Sequence, residues 1–197
     1  VDAAVALQKV RKAFESIPSQ PPPPKVDLAE PPRTAERRHV IEDALARTPR
    51  LDIVYKVPPR FAADDEAVLA LSAVLGSGRS SRLSKRLMTD EQLVASVFAA
   101  RDGVMGPGMF RIIATLAPGT SVDAVEKAIY EEIEKIKTGP IADWEVDKAR
   151  NEGRRSVVGE MTSSLQRAFQ IASFATTFGD PRLVNDRLPR FARVTAA

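Results

Sequence analysis

The side chains that most often carry chemistry are scarce in this sequence. It has no cysteine and a single histidine, His39, among 197 residues. A catalytic zinc site takes three protein ligands with His or Cys among them, so His39 cannot build one. Thiolate nucleophiles, disulfides and sulfur-ligated metals are excluded together. A Ser-His-Asp triad would need a serine on a sharp turn near His39, and no Gly-x-Ser-x-Gly stretch occurs. His39 reads as an exposed or hydrogen-bonded residue of a charged stretch, Glu36-Arg37-Arg38-His39.

Three other groupings have the residue types of a site. Gly76-Ser77-Gly78-Arg79-Ser80-Ser81-Arg82 places small residues before a helix, where backbone N–H groups can cradle an anion. It follows a helix rather than a strand and lacks the Gly-Lys-Ser/Thr ending of a nucleotide loop, so it reads as a turn between helices. Ser81 and Lys85 stand at the spacing of a Ser-Lys dyad, a spacing common on helix surfaces. Asp64-Asp65-Glu66 reads as a helix first turn and Glu131-Glu132 as a solvated face. No catalytic and no metal-binding residue is assigned.

The elements that would position these residues follow from periodicity. Residues 2–16 form an amphipathic helix, with Val5, Leu7, Val10 and Phe14 on one face, and Pro18 stops it. Residues 19–35, with Pro21 to Pro24 and Pro31-Pro32, read as a stiff extended segment. That segment is either an inter-domain spacer or a long surface loop, and the helix before it favours the spacer. Strands are expected over Arg37 to Asp43 and Leu51 to Val57, then an apolar helix from Asp64 to Leu75. A second helix, Ser80 to Thr89, carries Arg82, Lys85 and Arg86 on an exposed basic face. Val94 to Arg101 and Met109 to Leu116 make a hairpin around the glycine-rich 102–108 turn. Val122, Val125, Ile129, Ile133 and Ile136 make one buried helical stripe, ended by Gly139-Pro140. From Asp143 to Phe178 the pattern is helical in two pieces meeting near Met161 to Ser164, and Pro181 and Pro189 punctuate a last helical stretch. This order is α+β, a mostly antiparallel sheet with helices, and not the alternation of a doubly wound fold.

Composition narrows the classes further. Hydrophobic residues are 44% and charged ones 28%, enough apolar material for a proper core. The net charge of +3 is spread among interleaved acids and bases, and aromatics are 6%. Nucleic-acid surfaces need clustered positive charge and usually stacking residues, so nucleic acid is not an expected partner. No apolar run reaches transmembrane length. The start at Val1-Asp2-Ala3-Ala4 reads as an internal excerpt of a longer chain, and periplasm and cytoplasm are both compatible.

Leu75-Gly76-Ser77-Gly78-Arg79-Ser80-Ser81-Arg82-Leu83, followed by Leu87 and Asp90-Glu91-Gln92-Leu93-Val94-Ala95-Ser96-Val97, resembles the C-terminal, non-catalytic domain of the M16 metallopeptidases. That is the insulinase, pitrilysin and mitochondrial-processing-peptidase group. Phe14-Glu15-Ser16-Ile17-Pro18 is similar to the family's Phe-x-x-Ile-Pro, which closes the N-terminal domain. Gly106-Pro107-Gly108-Met109-Phe110, the Ile129 to Gly139 and Glu145 to Arg150 helices, Arg167-Ala168 and Gly179-Asp180-Pro181-Arg182 follow in the family's order. The resemblance runs from Leu7 to Thr195.

The resemblance implies an α+β domain, a sheet with helices packed on one face. Residues 1–18 would be the last helix of the preceding N-terminal domain, 19–35 the linker, and 36–197 the inactive domain, truncated at its C-terminus. Zinc is expected in the N-terminal domain, on a His-x-x-Glu-His helix absent here, and no cofactor in this chain. The implied partners are that domain, a second M16 subunit in a homo- or heterodimer, and a peptide substrate enclosed between the two halves. Many members grip the substrate backbone with an Arg and a Tyr from this domain. Those places hold Met88 and Ala95, and neither side chain can donate a hydrogen bond. The resemblance also marks Gly76, Gly78, Arg79, Ser81, Arg82 and the Val94 strand as interface elements. A scaffold subunit without peptidase activity, as in respiratory complexes of this fold, is the alternative.

Overall fold

The computed structural model describes residues 2–21, 23–24, 26–103 and 105–196. Among them β1 (Arg50–Val57), β2 (Val94–Asp102) and β3 (Gly108–Leu116) form one antiparallel sheet in the order β1-β3-β2. The expected hairpin is β2–β3, although Val104 in its turn lies outside the described residues. Gly108 is enforced at the start of β3, because a Cβ there would meet Asp102 O at 2.7 Å.

Side-chain alternation gives the sheet two unlike faces. Phe110, Ile112, Ala114 and Leu116 of β3 point the same way as Ile53 of β1 and Val97 of β2. These form the core with Leu75, Leu83, Leu87, Val125, Ala128 and Ile129 from the helical layer. That layer begins with α2 (Asp65–Gly76) and α3 (Val122–Thr138). α3 buries the expected stripe through Val125 and Ile129, with Ile133 and Ile136 packed against the core, whereas Val122 at its first turn is exposed.

α4 (Asp143–Thr162) lies behind α2, joined through Ala70, Ala73 and Ala149, whose small side chains allow close approach. Ser163, with ψ 132, breaks the helix where the sequence places the break, and its hydroxyl accepts from Gln166 N at the head of α5 (Ser164–Phe178). α5 is pinned by Phe174 and Phe178, which contact Phe61 at centroid distances of 5.1 and 5.2 Å. Gly179, at φ 76, ends it. A 3-10 turn (Pro181–Asp186) leads to α6 (Arg187–Ala192), whose Phe191 ring occupies the space a Cβ on Gly153 would need. At the other end α1 (Ala3–Phe14) buries none of its side chains.

The structure departs from the expected elements at residues 37–43 and at 80–89. Residues 37–43 form no strand, and Val40 and Ile41 are 92% and 88% exposed. The two apolar residues are adjacent, so in a strand they would face opposite sides and could not share a core. The expected 80–89 helix widens into a π-helical segment (Ser84–Asp90) that closes with Glu91 N–H donating to Arg86 O at 2.9 Å. Its face is not a free basic one. Arg82 pairs with Glu145 of α4, Arg86 pairs with Glu131 and Glu132 of α3, and only Lys85 stays exposed.

Candidate functional site

The 76–82 turn is built mainly for the fold. Gly76 sits so close to β2 that a Cβ would lie 2.1 Å from Ala99 N, and Gly78 adopts φ 71 with open space around it. Lys148 Nζ donates to Ser77 O at 2.6 Å and fixes the turn from α4. Ser81 is buried, its hydroxyl 2.8 Å from Gly78 O and 2.9 Å from Ser84 Oγ, so it is occupied and is no partner for Lys85. Arg82 forks onto Glu145 at 2.7 and 2.6 Å. That hydrogen bond, against an opposing push from burial, holds the Glu145 carboxyl below the ordinary carboxylate value. Within the turn Gly78 and Arg79 are exposed, and Arg79 has no ion-pair partner among the described residues.

The carboxylates with perturbed titration are all shifted the same way. The hydrogen bond from Arg86 lowers Glu131, and the one from Arg182 lowers Asp180. Burial pushes Glu160 up, but Arg187 outweighs it. A general acid needs the opposite shift, so these groups are structural partners of arginine. Asp65 and Glu66 are buried against Arg101 and Arg190 rather than standing as solvated first-turn acids, and Glu132 is likewise buried. His39 lies exposed in extended chain, and among the described residues no group of three or more His, Cys, Asp or Glu is placed to hold a metal. The donor set does not fit zinc.

Met88 lies in the π-helical segment and is 39% exposed, while Ala95 is exposed at the start of β2. The ladder pairs Val94 with Leu116 and then Ser96 with Thr115, so Ala95 is the extra residue of a β-bulge. Gln92, at φ 52, and the Leu93 N–H donating to Leu87 O at 2.8 Å lead the chain from the π-helical segment into this bulge. Sequence periodicity cannot register a bulge, which is a feature of pairing.

The feature that residue-by-residue reading missed is the second face of the sheet. Val54, Phe98 and Met109 are 51%, 43% and 47% exposed there, around a buried Ile113 that pairs with Phe98. The flanking charges neutralise one another. Arg50 pairs with Asp52 at 2.8 Å, and Arg111 pairs with Asp102. The alternating pattern of β1 was the available signal, since Val54 is an apolar residue on its outward phase.

Comparison with known proteins places these features. The family model described as "Peptidase M16 inactive domain" matches residues 1–152. The zinc protease PqqE of Helicobacter pylori is 27% identical over 188 residues, which is 94% of this chain and 41% of that protein. The chain therefore spans less than half the length of this relative. The crystal structure of a protease from Helicobacter pylori superposes on the whole chain with a TM-score of 0.89 and 25% identity, using 48% of its own length. The fold recurs in the peptidase M16 inactive domain from Pseudomonas fluorescens, with a TM-score of 0.63 over 75% of this chain and 35% of its own at 19% identity. It also recurs in complex III2 from Candida albicans, with a TM-score of 0.66 over 78% of this chain and 39% of that one at 15% identity.

Proposed function

We propose a function from one premise: the chain belongs to the Peptidase M16 inactive-domain family. It acts as the non-catalytic C-terminal half of a zinc peptidase, with residues 19–35 linking it to a zinc-bearing N-terminal domain. Together the two halves enclose an extended peptide. The open sheet face carries this reading. The core helices α2 and α3 are on the other side, and its exposed Val54, Phe98 and Met109 lie among paired charges. Such a surface suits neutral, apolar peptide side chains and repels neither sign of charge. The half-exposed apolar face of α1 suits a neighbouring domain in the same way. Gly78, Arg79 and β2 are the elements assigned to the interface between the halves or subunits.

The test is peptide cleavage by the zinc-bearing half with and without this chain. Cleavage is expected to need both halves, and Phe98→Asp with Val54→Asp is expected to lower kcat/KM while leaving the fold intact by circular dichroism. Equal cleavage by the N-terminal half alone would sink the proposal. A scaffold subunit without peptidase work is the second reading, favoured by Met88 and Ala95, which offer a peptide backbone no side-chain donor. A zinc-free, inactive parent protein would select it.

A further inference from the structure

The proline-rich segment is tied down along part of its length, and the ties are at three separate places. Leu28 lies against the β2–β3 turn, where a Cβ on Gly106 would sit 3.3 Å from Leu28 Cβ. Lys56 of β1 directs its ammonium group at Glu30 O (3.0 Å), Pro31 O (3.2 Å) and the Glu30 carboxylate (3.1 Å). The two carbonyl contacts are hydrogen bonds, and the carboxylate adds an ion pair. Arg38 then forks onto Glu126 of α3, Nη1 to Oε2 at 3.0 Å and Nη2 to Oε1, while its Nε donates to Glu36 at 2.7 Å. Glu126 is buried, and Arg38 is the cation that reaches it.

The ties stop abruptly on both sides. α1 buries nothing, and Val40, Ile41 and Leu45 are 92%, 88% and 90% exposed. Lys56 shares the sheet phase of Met109, on the open face, whereas Glu126 belongs to the helical layer. The chain between Glu30 and Arg38 therefore runs from the open-face side of β1 to the helical layer. A strand edge left bare would accept another strand, and here Lys56 holds Glu30 and Pro31 beside β1.

We propose that residues 28–38 are a latch on the domain. They move with it as one body and shield the outer edge of β1. Motion of α1 relative to the domain then arises only on the N-terminal side of Leu28. Opening the latch requires the Lys56 and Arg38 attachments to release together, and it would lengthen the tether and bare the β1 edge in one step. This holds whether or not the domain encloses a peptide.

The absence of native cysteine allows a direct test on the whole chain. Spin labels at Ala35→Cys and Arg155→Cys, both exposed sites, report the latch. Labels at Gln8→Cys and Arg155→Cys report α1. Pulsed EPR is expected to give one narrow distance peak for the first pair and a broad distribution for the second. Arg38→Gln with Lys56→Met should abolish the narrow peak. Arg38→Gln alone removes only a side chain that is 64% exposed, so the fold survives, and it should already weaken that peak. The exchanged pair Arg38→Glu with Glu126→Arg should restore it. A broad Ala35–Arg155 distribution in the unmodified sequence, or a narrow peak that persists in the double variant, overturns the latch.

Discussion

Replacing Asp65 by asparagine keeps the shape of the side chain and removes only its charge. Asp65 opens α2 with its side chain 3% exposed, and its partner Arg101 on β2 is 4% exposed, with Nε and Oδ1 at 2.8 Å. The Nε–H is not aimed at that oxygen, so the contact is ionic without being a hydrogen bond. The other arms of Arg101 donate to Pro58 O and Gly103 O, each at 3.0 Å. The second oxygen of Asp65 accepts the Phe61 N–H at 2.9 Å and holds that residue at φ 67. In Asp65→Asn the Phe61 bond can persist, but a buried guanidinium is left without a counter-charge. Breaking one side of a buried pair costs about 3–5 kcal/mol. The two surviving carbonyl bonds place the expected loss near the lower end, about 3 kcal/mol. In a chain of this size that corresponds to a fall in Tm of about 6–12 °C. Urea unfolding of Asp65→Asn, Arg101→Met and the double variant measures the loss and the coupling together. The double variant should recover at least about 1 kcal/mol relative to the sum of the single ones, because it removes both charges. Additive losses, or an Asp65→Asn variant within about 0.5 kcal/mol of the parent, would refute the reasoning.

Two further outcomes follow from the turn and its anchor. Gly76→Ala drives a methyl group into the backbone at Ala99 N, and the misfit should cost about 2–3 kcal/mol in urea unfolding, with β2 amides losing hydrogen-exchange protection first. The Glu145 carboxyl is held below its ordinary value of 4.5 by the hydrogen bond from Arg82. Its contribution to stability is therefore complete above about pH 4.5 and is lost as pH falls through the lower folded-state value. Glu145→Gln should unfold more readily near neutrality and show a flatter stability profile below pH 4.5, read as midpoints of urea curves at each pH.

What could be read from sequence was whatever depends on near neighbours along the chain. The α3 stripe, the β2–β3 hairpin, and the break at Ser163 are written in spacings of two to four residues and in Gly and Pro. What could not be read depends on partners remote in sequence. Asp65, Glu132 and Arg86 look like solvated charges until Arg101, α3 and the π-helical segment are brought together, and pairing then pulls them inside. Residues 37–43 have strand-like composition but no neighbour to pair with here. For the site, the family resemblance pointed to Met88, Ala95 and the 76–82 turn. The apolar face around Ile113 emerged only when β1 and β2 were placed on either side of β3.

The bulge at Ala95 bears on how readily this domain could change its role. A bulged residue stands outside the ladder, and Met88 is surface-exposed on a segment whose packing rests on Leu83 and Leu87. Neither position is constrained by the core, so side chains there can be gained or lost with little penalty to folding. On the function proposed above, a lineage could lose or gain a peptide-holding pair here through two surface changes. The same scaffold would then serve a peptidase or an assembly subunit, with nothing in its interior recording the switch.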